Sequence, residues 1–130
     1  MIDKTTTHEF ITKYKSIFKN LKPILSPATN EIIYFNMTGF KHLVFKGKHR
    51  REKVAIYNRL VLIPLIIPVL RNSEEIIETR VRNEYMNDKK VKVTYLALEA
   101  YVGKDSVRVR VIVRKIGEKG HFYFYSVMKY

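Results

Sequence analysis

Between Val107 and Arg114 the sequence VRVRVIVR puts valine at every odd position and, Ile112 apart, arginine at every even one. This period-2 pattern commits the segment to a β-strand with one apolar and one largely cationic face, because successive side chains of a pleated strand point to opposite sides. Gly117-Glu118-Lys119-Gly120 then supplies turn residues, and His121 to Val127 returns as a second strand rich in aromatic side chains. A symmetric turn sets Arg114 opposite Tyr123 and Ile112 opposite Tyr125, so His121, Tyr123 and Tyr125 are expected on the arginine face. Guanidinium groups hold phosphates in bidentate fashion and aromatic faces stack on unpaired bases, so such a face suits a nucleic acid. The competing reading is an ordinary solvated sheet face, with arginine for solubility and tyrosine over the edges.

Upstream of this hairpin the chain reads as helices followed by strands. Thr6 with Glu9 forms a capping-box pattern, and Phe10, Tyr14, Ile17, Phe18 and Leu21 follow at helical spacing, which predicts a helix over 7–21. His8 falls in its first turn and is given no role. Pro23, Ser26, Pro27 and Asn30 mark a connecting loop over 22–30, and 31–35 predicts a short strand. Asn36 or Thr38 can cap a second helix with Phe40, Leu43 and Val44 as its apolar stripe. Residues 52–63 resume helical spacing, and Pro64 and Pro68 kink or restart the apolar run that follows. Strands are expected over 74–82 and 91–102, with turns at Asn87-Asp88 and Gly103-Lys104-Asp105. The predicted class is α+β: N-terminal helices packed on a four-stranded antiparallel β-meander, in one domain spanning 1–130.

Charge narrows the partner class. The formal net charge is +13. It concentrates in 41–59, with seven basic residues against one acidic, and in 91–130, with eight against three. The segment between them, 71–90, carries five of each. Two basic blocks able to converge make a polyanion the leading partner, with RNA, as tRNA or mRNA, in first place. An anionic membrane surface and a strongly acidic protein, such as an inhibitor or immunity protein, compete for the same charge. Membrane insertion is not expected, because the longest apolar run, 60–70, is too short to span a bilayer and holds two prolines. Cysteine is absent, so no disulfide or thiolate metal site is expected, and a reducing cytoplasm fits.

No HExxH or HxxxH spacing, nucleophile elbow, Walker loop or dinucleotide-binding glycine pattern occurs, so neither a metal nor a cofactor is expected. Metal-independent RNA cleavage asks for less: a base for the 2′-hydroxyl proton, an acid for the leaving 5′-oxygen, and cations for the charge that develops on phosphorus. Histidine suits the first two roles. His42, Lys46 and His49 stand at i, i+4 and i+7, which would align them on one helix face unless Gly47 ends the helix and leaves His49 in the basic loop KGKHRR. For each histidine alone, an ordinary surface or hydrogen-bonded residue is the competing reading.

The GFKH segment entering a helix, the helices-then-sheet order and the closing RVRVIVRKIGEKGHFYFYSVM resemble the barnase, EndoU, colicin-tRNase and RelE-like superfamily of small nuclease domains of phage and bacterial toxins. The resemblance implies a site built from a helix histidine, a late-strand arginine and a Ser or Thr in the closing strand, here His42, Arg110 or Arg114, and Ser126. Symmetric pairing of the last two strands would instead turn Ser126 to the valine face, and a β-bulge would bring it back. Without a bulge, His121 or Tyr125 is the better candidate. The expected function is a metal-independent endoribonuclease with His42, His49, Arg110 and Ser126 as catalytic candidates. Lys46, Lys48, Arg50, Arg51, Arg114, His121, Tyr123 and Tyr125 are the expected substrate contacts. The alternatives are a noncatalytic nucleic-acid-binding module, such as a phage regulator, and an interaction protein that docks an acidic partner.

Overall fold

The computed structural model describes the backbone of residues 4–130 and the side chains of residues 6–130. The chain opens with α1 (Lys4–Lys19), a short hairpin of β1 (Ile24–Ser26) and β2 (Glu31–Tyr34), and α2 (Met37–Val44). A second small hairpin follows, β3 (Phe45–Lys46) with β4 (His49–Arg50). Then come α3 (Lys53–Leu60), a 3-10 turn (Ile63–Leu65) and α4 (Ile66–Asn72). Four strands end the chain: β5 (Glu78–Met86), β6 (Lys89–Val102), β7 (Val107–Ile116) and β8 (Phe122–Lys129).

The class is α+β with a mostly antiparallel sheet, and the four C-terminal strands form the expected meander. The expected four-stranded sheet is corrected to six strands, in the order β1-β2-β8-β7-β6-β5. The additional pair comes from residues 24–34, where Pro23 and Pro27 mask a three-residue strand, and β2 joins β8 in parallel through Ile33 and Tyr34. The Asn87-Asp88 turn has both residues at positive φ, 51° and 62°, the backbone that a tight two-residue hairpin requires.

The valine face became the core. Val109, Val111, Val113, Phe122, Phe124 and Val127 are buried against Phe18 of α1, Phe40 and Leu43 of α2, Ile56 and Leu60 of α3, and Ile66, Val69 and Leu70 of α4. The 20-residue stretch Lys53–Asn72 is long and apolar enough by composition to cross a membrane. It is divided into three helical pieces, with Pro64 inside the 3-10 turn and Pro68 in the first turn of α4, and its apolar side chains supply this core. The expected capping box is overturned: α1 is already wound at Lys4, so Thr6 lies in its first turns rather than at its cap. Phe10 stacks on Tyr57 of α3 with ring centres 3.8 Å apart, which ties that half of α1 to the body.

Two features of α2 place its histidine. Asn36 caps the helix, its side chain accepting a hydrogen bond from the Thr38 N–H at 3.1 Å. Gly39 lets the helix lie directly on β8: a Cβ there would stand 2.6 Å from the Phe124 carbonyl oxygen and 2.8 Å from its ring. Gly39→Ala is therefore expected to lower stability by about 1–3 kcal/mol, because backbone rather than a mobile side chain blocks the methyl group. Urea titration would measure this, and an unchanged midpoint would contradict the close approach.

Candidate functional site

The last two strands do not pair symmetrically. Arg114 faces Tyr123 as expected and Val113 faces Phe124, but Ile112 then faces Ser126, leaving Tyr125 as the extra residue of a β-bulge. The expected Ile112–Tyr125 pairing is thus corrected, and the alternation shifts by one residue beyond Tyr125. Ser126 now stands opposite Ile112 instead of among the core phenylalanines. Its buried hydroxyl accepts a hydrogen bond from Arg59 Nη1 of α3 at 3.2 Å.

The bulge presents Tyr125 to α2. His42 stacks on it with ring centres 4.1 Å apart and planes at 25°, and the Arg114 guanidinium lies 4.5 Å from the Tyr125 ring centre. Tyr95, which stands opposite Arg114 across the β6–β7 ladder, meets the same ring edge-on, and its hydroxyl donates to Glu84 at 2.5 Å. Burial first, and then the Glu84 contact, push the Tyr95 hydroxyl above its ordinary value. Arg51 Nε donates to the His42 carbonyl oxygen at 3.1 Å. His42 is thereby ringed by Arg51, Arg59 and Arg114, none of which pairs with a carboxylate among the described residues.

This arrangement has an electrostatic signature. Burial, and then the fields of Arg51, Arg59 and Arg114, push the His42 imidazole down to about 4. Arg59 is itself lowered by burial and by Arg51. Half-buried cations close together without an acid are costly, and an anion among them would offset that cost. Arg59 lines a separate recess with Ala55, Asn58 and Met128, and of the three arginines only Arg114 lines two adjoining recesses, which also share Thr38 and Tyr125. One, of about 230 Å³, is lined by His42, Lys41 and Phe45; the other, of about 280 Å³, by His121, Tyr123 and Asn36.

The low His42 value makes stability depend on pH. The unfolded chain, at about 6.5, takes up the proton more readily than the folded one, at about 4. The contribution is whole above pH ~6.5 and is lost as pH falls through that window. Converted directly it is about 3 kcal/mol; screening at a half-buried site reduces it to about 1–2 kcal/mol. Urea midpoints at neutral and at mildly acidic pH are expected to differ less in His42→Gln than in the native protein. Equal differences would contradict this.

Other expected site residues lie elsewhere. The i, i+4, i+7 alignment is overturned: α2 ends at Val44, Gly47 turns the chain at φ 64°, and Lys46 pairs with His49 across the β3–β4 hairpin. Lys46, Lys48, His49 and Arg50 are all exposed there. Arg110 is not free for a phosphate. Its Nε donates to Glu99 at 2.6 Å, its Nη2 pairs with the same carboxylate, and Nη1 reaches Glu78 at 3.5 Å. The Glu99 side chain is only 7% exposed; burial pushes its carboxyl up, but hydrogen bonds from Arg108 and Arg110 outweigh that and hold it below the usual range. Tyr125, expected to stack on bases, is already engaged by His42 and Arg114. Tyr123 and exposed His121 gather instead with Tyr34 of β2, at 5.7 and 5.0 Å between ring centres.

Sequence reasoning missed Arg59, Tyr95 and Tyr34. Arg59 did leave a signal, as the only charged residue between Val54 and Leu70. Among the described residues no three His, Asp or Glu side chains group as metal ligands. Comparison with protein-family models, curated proteins and solved structures finds no significant match, so the reading of this site rests on its own geometry.

Proposed function

We propose that the chain is a metal-independent endoribonuclease of the toxin or phage type, with His42 as its base. The observation that carries this reading is the ring of Arg51, Arg59 and Arg114, unpaired with any described carboxylate, around a histidine that is neutral at pH 7. A phosphodiester seated there would take its oxygens' hydrogen bonds from the guanidiniums. His42 accepts the 2′-hydroxyl proton as the 2′-oxygen attacks phosphorus, and the bond to the 5′-oxygen breaks. The arginines stabilise the extra charge on the phosphoryl oxygens at that moment. The imidazolium so formed, or a water beside it, gives a proton to the departing 5′-oxygen, and release of the proton returns His42 to its neutral form. Tyr123 and His121, beside Arg114, offer faces to a neighbouring base.

In this reading Arg59 replaces Arg110 as a phosphate ligand, Ser126 positions Arg59, and His49 leaves the catalytic set. The working compartment is the cytoplasm, where RNA is the abundant polyanion, and an acidic inhibitor would be drawn to the same cations. The test is incubation of the protein with tRNA and single-stranded RNA in EDTA. Discrete products from the native protein and none from His42→Ala are expected. A second reading, a binding module without catalysis, is favoured by the isolation of His42, since His49 stands on the hairpin and no acid–base pair faces one phosphate. It gives a gel shift with intact RNA.

A further inference from the structure

The β3–β4 hairpin is unlike the rest of the basic surface. Every residue from Phe45 to Arg50 is exposed, and a Cβ at the Gly47 tip would meet nothing within 4 Å. The hairpin stands free of the body, while its base is fixed: Arg51 N–H donates to the Val44 carbonyl at 2.8 Å, and Arg51 Nε to that of His42. Phe45 and Gly47 also line the recess that holds His42 and Arg114. The hairpin therefore rises from the edge of the proposed phosphate site.

Its charges point two ways. Cross-strand partners share a face and neighbours alternate, so Lys46 with His49 forms one face, Phe45 with Arg50 the other, and Lys48 stands at the turn. Among the described residues, none of Lys46, Lys48, His49 or Arg50 has an acidic partner. Cations on both faces of a narrow ribbon match phosphates on both sides of a groove, which only a duplex presents. The hairpin's two rings, Phe45 and His49, fall on opposite faces, so neither face offers a run of rings for stacking; Tyr125, Tyr123 and His121 gather instead in the adjoining recesses. Double-stranded RNA is recognised mainly by shape and by its backbone, and unpaired bases by stacking.

We infer that the substrate is an RNA in which a duplex adjoins an unpaired segment. The β3–β4 hairpin grips the duplex backbone while the Arg51, Arg59 and Arg114 ring takes the first unpaired phosphodiesters. This deepens the proposed function, since it places the substrate on that same site. The test is fluorescence-anisotropy binding by His42→Ala, which keeps the RNA whole, to a stem with an unpaired tail and to an unpaired strand of equal length. The stem with tail is expected to bind about tenfold more tightly at moderate salt, in line with a few added phosphate contacts. Adding Lys46→Glu with Lys48→Glu is expected to bring the ratio close to one, and Lys48→Glu alone, at the unpacked turn, to lower it in a protein with an unchanged melting curve. Equal binding of the two RNAs, or a ratio that survives the charge reversal, would overturn the inference. Native protein that prefers the stem yet leaves RNA intact in EDTA would instead overturn the nuclease reading and keep this one.

Discussion

Replacing His42 with alanine is expected to lower RNA cleavage in EDTA by about 100- to 10,000-fold, the range that a positioned general base contributes. The loss should fall on the chemical step. RNA binding should survive, because phosphate affinity comes from Arg51, Arg59 and Arg114, whose charge the substitution leaves in place. Anion binding and His42 protonation are linked: a phosphate among the guanidiniums offsets their field and raises the imidazole back from about 4. Single-turnover rates set beside binding curves separate the two effects. A variant that bound poorly and cleaved its bound RNA normally would make His42 a ligand or a structural residue instead of the base.

The second large effect separates two arginines of one strand. Arg114→Ala is expected to reduce cleavage by about 100- to 1,000-fold, as loss of one preorganised donor to a developing oxyanion does. Arg114 is half-buried, opposite Tyr95 in the ladder and set against Tyr125, with no described salt bridge to compete with a phosphate. Lysine should rescue it only in part, since it keeps the charge and loses the planar fork. Arg110→Ala, four residues away, is expected to act on stability by about 1–3 kcal/mol, because it deprives the buried Glu99 carboxylate of one of its two arginines. Initial rates on folded protein and urea midpoints for both variants are the measurements. Equal catalytic losses at Arg110 and Arg114 would contradict the division.

The two faces of β7 could be read from the sequence. The Val/Arg alternation of β7 identified the core face and the cationic face, because a buried strand face admits few alternatives. Gly47 was legible as a break in the helical pattern, but α2 ends earlier, at Val44, with Phe45 already extended, and the left-handed backbone of Gly47 turns the β3–β4 hairpin instead. Less legible was what each arginine meets. Arg110 and Arg114 are equivalent in a period-2 pattern, and only the register of β6 shows that Glu99 stands opposite Arg110 while Tyr95 stands opposite Arg114. The bulge at Tyr125 was open for a similar reason: FYFYSV alternates without a glycine or proline to mark an extra residue, and the residues that meet the bulge, His42 of α2 and Arg59 of α3, are distant in sequence. Arg59 joined the site only through that long-range contact. The short strand expected over 31–35 is β2, but its partner β1 was hidden because a three-residue strand between two prolines carries too little periodicity to read.

The central claim is that a 2′-hydroxyl attacks phosphorus at the His42 ring without help from a metal. An oligonucleotide with a single ribonucleotide in an otherwise deoxy strand, incubated with the protein in EDTA, tests it most directly. Cleavage only on the 3′ side of that ribonucleotide, leaving a 2′,3′-cyclic phosphate and a free 5′-hydroxyl, is the predicted result. Cutting at deoxy positions, or products ending in a 3′-hydroxyl and a 5′-phosphate, would contradict it.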